Sequence, residues 1–158
     1  MQQSKEQWLA TRTDPMNWPN NEYFQLLIDK AWQLNVELRS SKIHELWYYR
    51  PDSRTIYIWE PDLINEPLAY LLTVFGHELG HVTDFDRHPE FVARTKDLHY
   101  SNVPWDIELS GFVSGFRLLS ELGIPLAPET FAFFIAPPMQ QQVLEIIQAG
   151  PQQSRESA

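Results

Sequence analysis

The sequence predicts an α+β domain that is mostly helical, with one buried central helix, amphipathic helices around it and a small antiparallel hairpin packed beside it. Three observations carry this. Residues Leu68 to Gly76 are apolar nearly all round, Thr73 aside, which describes a helix covered on most sides. Tyr23, Phe24, Leu27, Ile28, Ala31, Trp32 and Leu34 recur at the spacing of one face of a helix. Two runs rich in β-branched and aromatic residues, 43–49 and 55–59, flank Pro51-Asp52-Ser53, and that combination reads as a hairpin.

Taken in order, residues 1–19 are polar and interrupted by Pro15 and Pro19, so an irregular N-terminal arm is expected, with Trp8-Leu9 docking. A helix follows from Asn20 to about Leu38, capped by Asn20 or Asn21. Pro61 ends the second hairpin strand. The central helix is expected to begin near 66, with Asn65 as cap, Glu66 at the positive end of the dipole and Pro67 in the first turn. The segment 89–104, bounded by two prolines, reads as mostly loop with a short helical turn near 90–96. A third helix spans Pro104 to Leu122 and stops at Gly123-Ile124-Pro125. A short apolar helix covers Pro128 to Ala136, and a last one Met139 to Gln148. Residues 20–150 thus form a single domain, with a disordered tail expected over 151–158.

Composition narrows the function. A net charge of −9 disfavours nucleic acid and anionic membranes, because both call for clustered Lys and Arg. There are no cysteines, which excludes disulfides and Cys-type zinc sites and leaves His and carboxylate as the strong metal ligands. No uninterrupted apolar span reaches membrane length and the N-terminus has no apolar h-region, so a cytoplasmic protein is expected.

The chemistry sits in Gly76-His77-Glu78-Leu79-Gly80-His81. In a helix, His77 and His81 leave one face a single turn apart, and two ring nitrogens so placed reach one Zn²⁺. Glu78 stands beside the metal rather than on it, where a carboxylate takes a proton from water. A zinc site of the catalytic type needs a third protein ligand. The extended spacing His-Glu-x-x-His-x-x-Gly-x-x-His fails, since Asp84 and Arg87 occupy the last two positions. Glu108 is the leading candidate for that ligand. It shares a helical face with Gly111 and Gly115, and glycines kept inside a helix at about 1 kcal/mol each suggest close approach of another backbone. Gly76 and Gly80 are the expected other half of that contact. Asp106 is the nearest competitor, followed by His88, Asp84 and His99.

The order of strand Arg54-Thr55-Ile56-Tyr57-Ile58-Trp59, then Leu72 to His81, then Glu108-Leu109-Ser110-Gly111, Gly115 and Leu118-Leu119, resembles the ImmA/IrrE-type minimal gluzincins over roughly residues 43–122. The resemblance implies a zincin-like fold and a glutamate ligand from a downstream helix, at Glu108. Gly111 stands where that family has Ala. Phe112 replaces the Asn or Asp that supports a metal-bound histidine there, which keeps Asp106 and Asp84 open as replacements.

The function expected is a zinc-dependent metallopeptidase, with Glu78 as general base and a protein or peptide as substrate, held along the hairpin's edge strand. His99 and Tyr100 in the long loop, and Tyr70, are candidates for stabilising the transition state. The alternative is a metal-bearing regulatory or binding module of the same fold, acting on a single protein partner. The oligomeric state is left open.

Overall fold

In a computed structural model, residues 3–99 and 102–157 are described, with side chains through Gly150. The fold is α+β and mostly helical. Among the described residues it comprises helices α1 (Lys5–Thr11), α2 (Glu22–Gln33), α3 (Asp62–Asn65), α4 (Leu68–Arg87), α5 (Pro89–Thr95), α6 (Trp105–Glu121), α7 (Pro128–Phe133) and α8 (Pro137–Ser157). Strands β1 (Glu37–Ser40), β2 (Tyr48–Arg50) and β3 (Thr55–Ile58) form one sheet in the order β1-β3-β2. No helix among these residues is long and apolar enough to cross a membrane.

The N-terminal arm is not irregular. Ser4 caps α1 by accepting a hydrogen bond from Gln7 N–H, and the Trp8 indole is fully buried, donating from Nε1 to Val36 O at 2.7 Å. A buried indole needs such a partner for its N–H. Beyond α1 the chain pairs with the outer edge of β1, through Leu38 N to Arg12 O and Asp14 N to Leu38 O. That pairing covers one edge of the sheet.

Asn21 caps α2 as expected, accepting from the N–H groups of Tyr23 and Phe24. The helix ends at Gln33, well short of Leu38, because Asn35 takes a left-handed conformation (φ 58°) that reverses the chain. Val36, just before β1, and Leu38 within it then turn into the core, with β1 paired parallel to β3. The hairpin is present as an antiparallel β2–β3 pair, but its first strand covers only Tyr48–Arg50. Residues 43–47 are turn-like, with Glu45 at φ 60°.

The central helix is α4, buried on nearly every side from Leu71 to Phe85. Its start departs from expectation. Asn65 closes α3 instead, and Glu66 is extended (ψ 152°) as the residue before a proline tends to be. Pro67 occupies the cap position with no side-chain hydrogen bond. The C-terminal end of α4 is tied to the hairpin by Arg54, whose Nη1 and Nη2 donate to Asp86 at 2.7 and 2.8 Å. The turn near 90–96 is α5, and α6 and its Gly123 stop (φ 75°) lie close to expectation. Helix α7 ends at Phe133, ahead of Pro137, and α8 runs on past Gly150 to Ser157, where an end and a disordered tail are expected.

Candidate metal centre

Helices α4 and α6 cross where each carries two glycines. A Cβ on Gly80 would lie 2.3 Å from Gly111 O and 2.6 Å from Gly115 N; one on Gly115 would lie 2.6 Å from Gly76 O. Only hydrogen fits at either place, so the crossing anticipated from the glycine spacing is real. Its consequence is that the ligand face of α4 lies directly beneath the first turns of α6.

There the two imidazoles meet Glu108. His77 Nε2 lies 2.6 Å and His81 Nε2 2.8 Å from the same oxygen, Glu108 Oε1. Both histidines are about 5% exposed. Among the described residues these three side chains form the group able to hold a metal ion, with their ligand atoms within 4.8 Å of one another. Glu108 also sits in the first turn of α6, where the helix dipole favours an anion. Burial works against its charge, but the two imidazoles outweigh that and hold its carboxyl far below the usual range. For His81, burial lowers basicity while the Glu108 carboxylate raises it more, leaving a net upward shift.

Two imidazole nitrogens and a carboxylate oxygen converging from two rigid helices suit a divalent ion such as Zn²⁺. The support around them is unusual. Nδ1 of both His77 and His81 is buried with no hydrogen-bond partner, whereas metal-bound histidines nearly always donate from that atom. Phe112 instead lies flat against the His77 ring, centroids 3.6 Å apart and planes 13° from parallel.

Glu78 lies beside the triad, its Oε2 3.9 Å from His77 Nε2, and lines a cavity of about 460 Å³. Burial pushes its carboxyl up, and the attraction of His77 and His81 only partly offsets this. The cavity runs from Glu78, His81 and Glu108 to β2 on one flank and to α5 with its following loop on the other. Trp47, Tyr49, Phe85 and Val92 give it an apolar wall.

The remaining candidates separate cleanly. Asp106 is exposed and makes a two-pronged ion pair with Arg94, at 2.7 and 2.8 Å, so it does not join the triad. Asp84 is buried but accepts hydrogen bonds from Ser110 Oγ (2.6 Å) and Ser114 Oγ (2.5 Å). It fastens α4 to α6 and is not drawn to the triad. His88 is at the surface beside Glu90. His99 is exposed and lines the cavity without joining the triad. Tyr100 lies outside the described residues. Tyr70 donates to Asp62 at 3.4 Å and is not part of the cavity wall.

Asp84 with its serines, and Phe112 as a stacking partner, were not anticipated. A signal was present: Ser110-Gly111-Phe112 recurs as Ser114-Gly115-Phe116, a four-residue step that puts like residues on like faces of a helix. The serine pair grips Asp84, the glycine pair forms the crossing, and both phenylalanines pack edge-on to Phe131.

Comparison with protein-family models, with curated proteins and with solved structures found no match for this chain.

Proposed function

We propose that this chain is a zinc-dependent metallopeptidase of zincin-like build that hydrolyses a peptide bond in a protein or peptide substrate. The observation that carries the reading is the convergence of His77 Nε2 and His81 Nε2 on Glu108 Oε1, with Glu78 buried at the adjoining cavity.

His77, His81 and Glu108 would hold the metal, which when bound supplies a Lewis acid that polarises a carbonyl and acidifies water. Glu78 takes the proton released by the attacking water and delivers it to the leaving amine. Its burial suits that work, because a desolvated carboxylate takes up a proton more readily than one in water. The substrate enters beside β2, the edge strand on the cavity side, along which an extended peptide can run. Apolar side chains of that peptide face Trp47, Tyr49, Phe85 and Val92. His99, which lines the same cavity from the loop after α5, would meet a developing oxyanion from that side.

The test is a pair of measurements on purified protein. Elemental analysis should find one divalent ion per chain, and a broad peptide library should be cleaved in a chelator-sensitive way. Glu78→Gln should retain the ion and lose cleavage. Full cleavage by Glu78→Gln would remove it as the base; protein that never takes up an ion would sink the reading altogether.

A further inference from the structure

The orphaned Nδ1 atoms raise a specific question: what fixes the plane of the imidazoles? An imidazole on a helix turns about its Cβ–Cγ bond, and the usual restraint is a hydrogen bond from the nitrogen that does not face the metal. His77 has none, since its Nδ1 is buried without a partner. What it has is a flat aromatic face. The Phe112 ring covers it at 3.6 Å with only 13° between the planes, a spacing that leaves no room for the imidazole to tilt. Phe112 is itself braced, edge-on, by the fully buried Phe131 of α7 (6.4 Å, 79°), which in turn meets Phe116 (5.3 Å, 65°). The plate is therefore backed by a separate helix.

We propose that Phe112 is the positioning residue for His77: its ring, held from behind by Phe131, fixes the imidazole plane so that Nε2 points at the metal position, in place of a hydrogen bond at Nδ1. The inference rests on the metal-centre reading above. The neighbouring position acts on the other ring by being empty. A Cβ on Gly111 would lie 2.5 Å from His81 Cε1 and 3.1 Å from His77 Cε1, so no other residue leaves both rings where they are. Stacking fixes a plane but does not distinguish the two edges of the ring. Glu108 makes that choice, by holding Nε2 toward itself. Such an arrangement restrains His77 without raising the electron density of the ring, as a carboxylate at Nδ1 would.

The experiment compares Zn²⁺ affinity, by competition with a chromophoric chelator, for the parent chain, Phe112→Tyr, Phe112→Leu, Phe131→Leu and Phe24→Leu, with the His77 ring protons of metal-free protein followed by NMR. Those protons should resonate at unusually high field in the parent and in Phe112→Tyr, because they lie over an aromatic face. Phe112→Leu should lose that shift and weaken zinc binding by roughly 10–100-fold, the range known for outer supports of metal ligands. Phe131→Leu should lower affinity less. Phe24→Leu removes a fully buried ring that packs on Phe75 rather than on His77; it should lower the unfolding temperature and leave affinity unchanged. Parent-like affinity in Phe112→Leu, or His77 protons at ordinary positions in the parent, overturns the proposal. A parent that shows the shifted protons but takes up no zinc overturns it together with the metallopeptidase reading, whereas zinc uptake that ignores residue 112 overturns the positioning role alone.

Discussion

Around Asp84, α4 buries a carboxylate that accepts hydrogen bonds from two serine hydroxyls of α6; around Glu78, nearer the helix start, it buries one that faces a cavity with His77 Nε2 at 3.9 Å. Both are 3–4% exposed. The first is satisfied and joins two helices. The second is kept at a site that favours its protonated form. A buried acid with matched donors builds the scaffold, while one that lacks them stores a tendency to take up a proton. The same helix thus buries one residue chemistry in two states, matched with donors at Asp84 and left without them at Glu78, separated by less than two turns.

Several substitutions sharpen or break this contrast. The largest effect is expected for Gly80→Ala, which pushes a methyl group into the backbone of α6 and parts the helices on which both regions depend. A loss of about 3 kcal/mol of stability in urea unfolding is expected, at the upper end of the usual cost of overpacking. Next is Asp84→Ala, which leaves two serine hydroxyls without their acceptor and should cost about 2 kcal/mol by the same assay. Zinc affinity should fall far less in Asp84→Ala than in Glu108→Gln, which removes the carboxylate of the proposed metal centre; the reverse order would mean that Asp84 belongs to that centre.

Glu78→Gln should act with the opposite sign on the metal-free fold. The Glu78 carboxyl is raised above its ordinary value of 4.5, so the favourable contribution of its protonated form is complete below that value and is lost as pH rises through the folded-state value. At neutral pH the amide should therefore unfold at a higher temperature than the parent, and the gain should vanish in acid. Glu108 works the other way: its lowered carboxyl contributes stability above about 4.5 that is lost as the solution becomes more acidic. An acid titration of thermal stability on Glu78→Gln and Glu108→Gln separates the two.

At the cavity rim, burial pushes the Tyr49 hydroxyl up to about 12. Burial raises the Tyr70 hydroxyl to about 12 as well, so ultraviolet titration should find these two tyrosines ionising well after the ordinary value of 10, and the fold should weaken between those two values as the buried phenols lose their protons. Tyr49→Phe should halve the amplitude of that late step, leaving Tyr70. The smallest effect is expected for Arg94→Ala. The ion pair it breaks with Asp106 is exposed, and such pairs contribute little once salt screens them. Zinc affinity should not change, which would confirm that Asp106 stands apart from the site.

The expectations that held are those in which a short stretch of chain carries its own geometry. The four-residue step between His77 and His81 dictates one face of a helix whatever surrounds it, and the cap at Asn21 and the stop at Gly123 are equally local. The glycine pairs revealed the crossing because each is costly in a helix unless something presses against it. What was misread lies where distant partners overrule local preference. Residues 37 and 38 became part of a strand because β3 offers a parallel edge, and the proline-broken arm became ordered because Trp8 finds Val36.

From its sequence alone, then, this protein is a mostly helical α+β chain with two histidines and a glutamate aligned on one buried helix, since helical periodicity operates between near neighbours. Only the folded molecule decided that Glu108 rather than Asp106 or Asp84 meets both imidazoles, that Asp84 is spent on two serines, and that Phe112 covers His77. Each of those outcomes depends on the position and angle at which α6 crosses α4. That crossing is set by packing between residues some thirty positions apart, over which local propensity has no influence.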